Sequence, residues 1–146
     1  MLSFREITRK NLWAVLRLSV RDDQRHFVAP NSVSLAQAKV QPECVPLAVY
    51  DGERPIGFVM YALDYEEREY WIYRVMVDGA YQSRGYGRRI MEMLLERIQK
   101  EALPDRHTLY LSFEPDNAWG RELYQSLGFE DDNRMVHGEY VFRLDF

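Results

Sequence analysis

Cysteine is nearly absent: a single Cys44 among 146 residues rules out an internal disulfide framework and a cysteine-rich zinc site. It reads as a small, half-buried side chain rather than a nucleophile. The histidines His26, His107 and His137 are too scattered for a metal-ligand pattern, so no catalytic metal is expected. No apolar run approaches the roughly 18 to 20 residues that span a bilayer. The opening MLSFREITRK lacks the apolar stretch and small-residue cleavage site of a secretion signal, so the expected location is cytoplasmic, with no membrane partner. Positive charge is in deficit, 19 Lys and Arg against 23 Asp and Glu, for a net charge of -4. No basic face for nucleic acid is expected. Internal repeats and low-complexity tracts are also missing.

What the chain does hold is apolar side chains, 47% of the residues with 14% aromatic, spread along its length. That is enough to bury one core, and residues 1–146 are expected to form a single compact domain with no room for a separate cofactor domain.

Periodicity predicts the elements. Leu2, Phe4 and Glu6 alternate as in a strand, and Leu12, Val15, Leu16 and Ser19 recur at helical spacing within Lys10–Val20. Between Arg21 and Pro46 the pattern is poor, with Pro30, Pro42 and Pro46 as breakers, apart from a short helix over Ser34–Val40 capped by Ser32 or Ser34. Asp51-Gly52, set between Pro46–Tyr50 and Ile56–Leu63, predicts a hairpin, because glycine accepts the positive φ of a tight turn. The acidic cluster Asp64–Glu69 reads as a solvated hairpin turn before a strand over Tyr70–Val77. Ile90, Met91, Leu94, Leu95 and Ile98 fall on one helical face within Arg84–Glu101. Thr108–Phe113 alternates as a strand, Asn117–Leu127 reads as a helix stopped by Gly128, and Glu139–Leu144 is a final strand. The order βα(α)βββαβαβ(β) makes the fold class α/β.

The stretch QSRGYGRR, Gln82–Arg89, sets two glycines and three arginines between a strand and a helix. Such a turn can direct successive N–H groups, and the positive end of the helix, at a phosphate. It can equally be a tight turn bearing solvated arginines. A nucleotide-triphosphate loop needs a lysine followed by Ser or Thr after its last glycine, and neither is present. A dinucleotide fingerprint needs a small residue where Ile90 stands.

Gln82-x-x-Gly85-x-Gly87 directly after a strand resembles the pyrophosphate loop of the GNAT family of N-acetyltransferases. About thirty residues on, the run Asn117 to Phe129, NAWGRELYQSLGF, is similar to the same family's Asn-x-x-Ala-x-x-Leu-Tyr-x-x-x-Gly-Phe segment, with Gly120 in the alanine place. The two motifs stand in the family's order, each beside the expected strand and helix. The resemblance covers the whole chain, least tightly over Arg21–Pro46. It implies a mixed, mostly antiparallel sheet of six to seven strands flanked by about four helices.

The resemblance also implies acetyl-CoA as co-substrate. Main-chain groups of Val75, Met76 and Val77 would hold its amide-bearing arm as a partial extra strand. The loop residues Gln82, Ser83, Arg84, Gly85, Tyr86, Gly87 and Arg88 would turn their N–H groups to its pyrophosphate. Asn117 would cap its helix and hydrogen bond the arm. Tyr124 would act as general acid to the departing thiolate. Attack by a neutral amine would be direct, with a backbone N–H near Val75 or Val77 facing the oxyanion. Glu69, with Tyr73 behind it, is the candidate base, although a solvated turn acid is an equally good reading of Glu69.

A narrower resemblance concerns the acceptor. Arg21–Ala38 and the strand YWIYR, Tyr70–Arg74, are similar to bacterial spermine/spermidine (diamine) acetyltransferases. A long polycation suits spaced carboxylates and aromatic faces, and Asp22, Asp23, Glu66, Glu67, Glu69, Trp71 and Tyr73 offer them. The expected reaction is acetyl transfer to a primary amine, with a polyamine such as spermidine or spermine first. Another small amine, an amino-acid derivative, a peptide N-terminus or a non-catalytic CoA-binding module are the alternatives. A homodimer through the C-terminal strands is compatible with the pattern.

Overall fold

The computed structural model describes residues 1–146. Its elements are β1 (Leu2–Glu6), α1 (Leu12–Arg17), α2 (Asn31–Val40), β2 (Cys44–Asp51), β3 (Arg54–Leu63), β4 (Tyr70–Val77), α3 (Tyr86–Glu101), β5 (Thr108–Phe113), α4 (Ala118–Ser126), β6 (Glu130–Val136) and β7 (Glu139–Asp145), with short 3-10 turns at Asp22–Gln24 and Gly79–Tyr81. The seven strands form one sheet in the order β1-β2-β3-β4-β5-β7-β6. Every pairing is antiparallel except β4 with β5. The connection between those two parallel strands is long enough to carry α3, as parallel strands require.

Side chains alternate across the sheet, so each face has its own core. On one face Leu47, Val59, Ile72, Leu109, Leu111 and Phe142 meet the apolar stripe of α3, which is Ile90, Met91, Leu94, Leu95 and Ile98. On the other, Ala48, Phe58, Met60 and Met76 pack with Val15 of α1 and Leu35 and Ala38 of α2.

The sheet is not continuous at its centre. β3 and β4 pair from Leu63↔Tyr70 to Gly57↔Val77, with a bulge that leaves Tyr73 out of the register. β4 and β5 pair only at Tyr70↔Leu109, Trp71↔Tyr110 and Ile72↔Leu111, and then part. This fork leaves the edge of β4 from Tyr73 to Val77 without a ladder partner.

Several elements differ from their sequence expectation for local reasons. α1 is shorter than Lys10–Val20, because Leu18 turns extended. The Ser19 N–H then donates to Asp78 Oδ1 at 2.9 Å, and the Ser19 carbonyl accepts from the Gly79 N–H at 2.8 Å. α2 starts earlier than Ser34 and has no side-chain cap. Pro30 precedes it, Asn31 instead donates through Nδ2 to the Val15 carbonyl at 2.9 Å, and Ser34 is fully buried. The expected final strand is β7, and the additional bracketed strand is present as β6, ahead of it, so that the two make a hairpin. β6 and β7 join through His137 (φ 51) and Gly138 (φ 79), a left-handed pair suited to a tight β-turn.

Candidate active site

A cleft of about 2000 Å³ opens where β4 and β5 part. Its walls are Ile72 to Val77 of β4, Leu111 to Phe113 of β5, the loop before α3, the inner face of α4, the β6–β7 turn, and parts of the segments at 20–43 and 64–67.

One half is made of backbone. Ser83 (φ 64) and Gly85 (φ 81) both adopt left-handed conformations, which curl the loop as it enters the first turn of α3. Gln82 pins this loop, donating from Nε2 to the Val77 carbonyl at 2.9 Å and to Gln24 Oε1 at 2.8 Å. A Cβ at Gly87 would lie 2.7 Å from the outer end of the exposed Trp119 ring, which would have to shift. Tyr86 donates to Asp51 Oδ2 at 2.5 Å, and Arg88 donates to Ser126 Oγ at 2.7 Å, tying α3 to β2 and α4. Arg84 does not face the main cleft. Its guanidinium reaches back to the Ala80 carbonyl at 3.4 Å and over Tyr81, so only its main chain belongs to the loop's inner surface. Val75 and Val77 turn their side chains to one core and Met76 to the other, leaving their peptide groups along the open edge.

α4 supplies the side chains. Asn117 caps it by accepting from the Gly120 N–H at 3.0 Å. A Cβ on Gly120 would come within 2.7 Å of Asn117 Nδ2, which explains glycine in the motif's alanine place. Tyr124 lines the cleft, its ring set between Phe113 and Phe129 at centroid distances of 5.5 and 6.1 Å. Burial, and then the negative charge of Glu139, push its hydroxyl up to about 12. It stays protonated wherever an amine would be handled.

The other half is built from side chains. Trp71 stacks on Tyr110 at 5.3 Å with Arg134 over its ring. The Tyr73 hydroxyl donates to Asp64 Oδ2 at 2.5 Å. Burial and this carboxylate hold Tyr73 well above the ordinary phenol range. Burial alone would raise Asp64, yet the backbone N–H groups of Glu67 and Glu66 and the Tyr73 hydroxyl hold it below the usual carboxylate range. Arg74 donates to Gln37 Oε1 at 2.8 Å and to the Tyr73 carbonyl at 3.0 Å. Its Nε is buried without a partner, and burial lowers its pKa. Glu43, Glu66, Glu67 and Glu139 complete this lining.

Three residues expected at the acceptor are not brought to the cleft. Asp22 and Asp23 lie on a 3-10 turn where Asp22 pairs with Arg25 at 2.9 Å, its side chain 91% exposed. Glu69 precedes the paired, closed end of the fork, with Oε2 buried and unpartnered. Sequence reasoning passed over Glu139, Arg74, Asp64 and Trp119, which do line it.

Residues 8–129 match the family model described as acetyltransferase (GNAT) family. Over 147 aligned residues, covering 96% of this chain and 95% of the relative, the sequence is 28% identical to a spermine/spermidine N(1)-acetyltransferase of Bacillus subtilis. A ribosomal protein bS18-alanine N-acetyltransferase of Escherichia coli is 35% identical, but over only 60 residues, 41% of this chain and 38% of that one. Among solved structures, spermidine N-acetyltransferase from Vibrio cholerae, in complex with CoA and spermine, superposes with a TM-score of 0.75 at 18% identity, over 97% of this chain and 92% of that one.

Proposed function

The chain belongs to the acetyltransferase (GNAT) family, and from that premise we propose that it moves the acetyl group of acetyl-CoA directly onto a primary amine of a polyamine such as spermidine or spermine. The donor half suits acetyl-CoA through the fork itself: an open strand edge of the right polarity for an amide-bearing arm, continuous with a loop whose left-handed Ser83 and Gly85 gather N–H groups for a diphosphate. Bound there, acetyl-CoA supplies an activated thioester carbonyl. The protein's part is to hold that carbonyl against a main-chain N–H of Val75–Val77, keep water out, and present the Tyr124 hydroxyl to the sulfur as charge gathers on it. A phenol this weakly acidic gives up its proton only to a thiolate made more basic by the same dry surroundings.

The observation that carries the polyamine reading is the acceptor lining. Glu43, Asp64, Glu66, Glu67 and Glu139 line the same cleft as Trp71 and Tyr73, and negative charge together with aromatic surface suits an extended polycation. The likeness to the Bacillus subtilis relative spans nearly both chains, which supports the same reading. Arg74 favours a second one. A half-buried guanidinium with no carboxylate partner suits an acceptor that carries its own carboxylate, such as an amino-acid derivative or peptide.

A panel of spermine, spermidine, putrescine, an alanine-terminated peptide and an amino acid, each with acetyl-CoA and free thiol followed, separates the two. Spermine and spermidine are expected to give the highest kcat/KM. A preference for the carboxylate-bearing amines would overturn the polyamine assignment.

A further inference from the structure

We infer that Glu139 takes the proton from the attacking amine, and that Ser112 positions it for this; the assignment rests on the acetyl-transfer reading above. An alkyl ammonium has a pKa near 10, so at neutral pH roughly one molecule in a few thousand is free to attack. Something in the cleft has to receive a proton. Six carboxylates line it: Glu43, Asp64, Glu66, Glu67, Glu122 and Glu139. Asp64 is filled by the Tyr73 hydroxyl and two main-chain N–H groups. Glu67 is paired with Arg134 at 2.8 Å. Glu66 and Glu122 are exposed, and Glu43 precedes β2, where Cys44 and Tyr73 feel its charge and Tyr124 does not.

Glu139 stands apart from these. It opens β7, whose neighbour Tyr140 pairs with Phe113 of β5, so it sits beside the mouth of the fork. The Ser112 hydroxyl donates to its Oε1 at 2.7 Å, one residue beyond Leu111, the last of β5 to pair with β4. Its Oε2 has no hydrogen-bond partner and is not sealed from the cleft. Among charged and titratable groups, Tyr124 of α4 and Arg74 of β4 both feel its charge, and His137 of the adjoining turn lines the same cleft. Acid and base thus stand on two walls of the place where β4 and β5 part. The ammonium first gives one proton to Glu139 Oε2, directly or through one water, and that proton leaves to solvent; the free amine then attacks, and as the N–C bond forms its second proton passes to the same oxygen. The C–S bond breaks with its electron pair on sulfur, which takes the Tyr124 proton. Return of the Glu139 proton to the tyrosinate through solvent closes the cycle, leaving amide and thiol.

Glu139→Gln keeps the Ser112 hydrogen bond and removes only the basic oxygen. It should lower kcat/KM for the amine on the order of 100-fold at pH 7, with acetyl-CoA affinity unchanged by calorimetry. The deficit should shrink steadily toward pH 10, where the amine sheds its own proton, and be small at pH 7 for an acceptor whose amine has a low pKa. Ser112→Ala should follow the same trend more weakly. Glu139→Asp, a carboxylate one methylene short, should keep the natural pH profile at reduced kcat and stands in if Glu139→Gln does not fold. A deficit of equal size at every pH, or none, would overturn the assignment. Wild-type protein that binds acetyl-CoA yet acetylates no amine would instead remove the acetyl-transfer reading on which it rests.

Discussion

The two halves of the cleft are made of different materials. On the proposed reading the donor half consists of main chain: an unpaired strand edge, a loop with Ser83 and Gly85 left-handed, and the first turn of α3. The acceptor half consists of side chains delivered by segments far apart in the chain, Gln37 and Glu43 from around α2, Asp64 to Glu67 from the β3–β4 loop, Trp71 to Arg74 from β4, and Glu139 from β7. A surface of N–H groups suits a ligand that never varies, since it needs only a fixed curl of backbone. A surface of side chains can be changed one residue at a time without disturbing that curl. Fold and donor site can therefore stay constant while the acceptor differs, which is the general relation between folds and the functions they host.

Substitutions should respect this division. The largest effect is expected at Tyr124, the proposed general acid and the one side chain on which the donor half would depend for chemistry. Tyr124→Phe should lower kcat by about 100-fold or more with acetyl-CoA affinity little changed, read by steady-state rates and calorimetry together. Because the natural hydroxyl is held up to about 12, wild-type kcat/KM should climb as the amine deprotonates toward pH 10, with no descending limb from Tyr124 below that. Unimpaired turnover by Tyr124→Phe would make the donor half all backbone.

Next is Gly87→Ala, whose Cβ would press on the Trp119 ring from 2.7 Å. We expect the KM for acetyl-CoA to rise about tenfold, equivalent to ~1.4 kcal/mol, and the KM for the amine to hold. A shift in both would mean that the halves are mechanically joined. Smaller again, Glu66→Gln should raise the polyamine KM about two- to fivefold, as an exposed ion pair is worth up to ~1 kcal/mol. Added salt should shrink the difference, and acetyl-CoA should not sense it. The least effect is expected at Lys100, whose Nζ meets Glu96 Oε1 at 3.0 Å away from the cleft, both side chains well exposed. Lys100→Ala should change either KM by less than about twofold.

The same division explains what could be read from the sequence. β4, β5 and the stripe of α3 were legible because burial imposes a period on consecutive residues. The turn between β4 and α3 was legible because Gly85 meets a local demand of φ. β6 was not, since EDDNRMV is a polar edge strand broken by left-handed Asn133. Asp22 and Asp23 are near the cleft in sequence terms only; their 3-10 turn aims them at solvent. Glu139 reaches Ser112 across 27 residues, and nothing local marks it beyond its place opposite in parity to Tyr140, Phe142 and Leu144. Glu69 differs from it by standing at the end where β4 and β5 are still laddered.

The brevity of that ladder bears on the resting protein as well as on its chemistry. Strands β1–β4 and β5–β7 meet through only three residue pairs, so the sheet resembles two stiff leaves sharing a short spine, with α3 bracing the binding. A ligand arm lying along β4 would add the missing rungs and lock the leaves together. Occupancy would then register as slowed amide exchange over Tyr73–Val77 and as a higher melting temperature, by ~2.7 kcal/mol of added stability at a hundredfold excess over Kd.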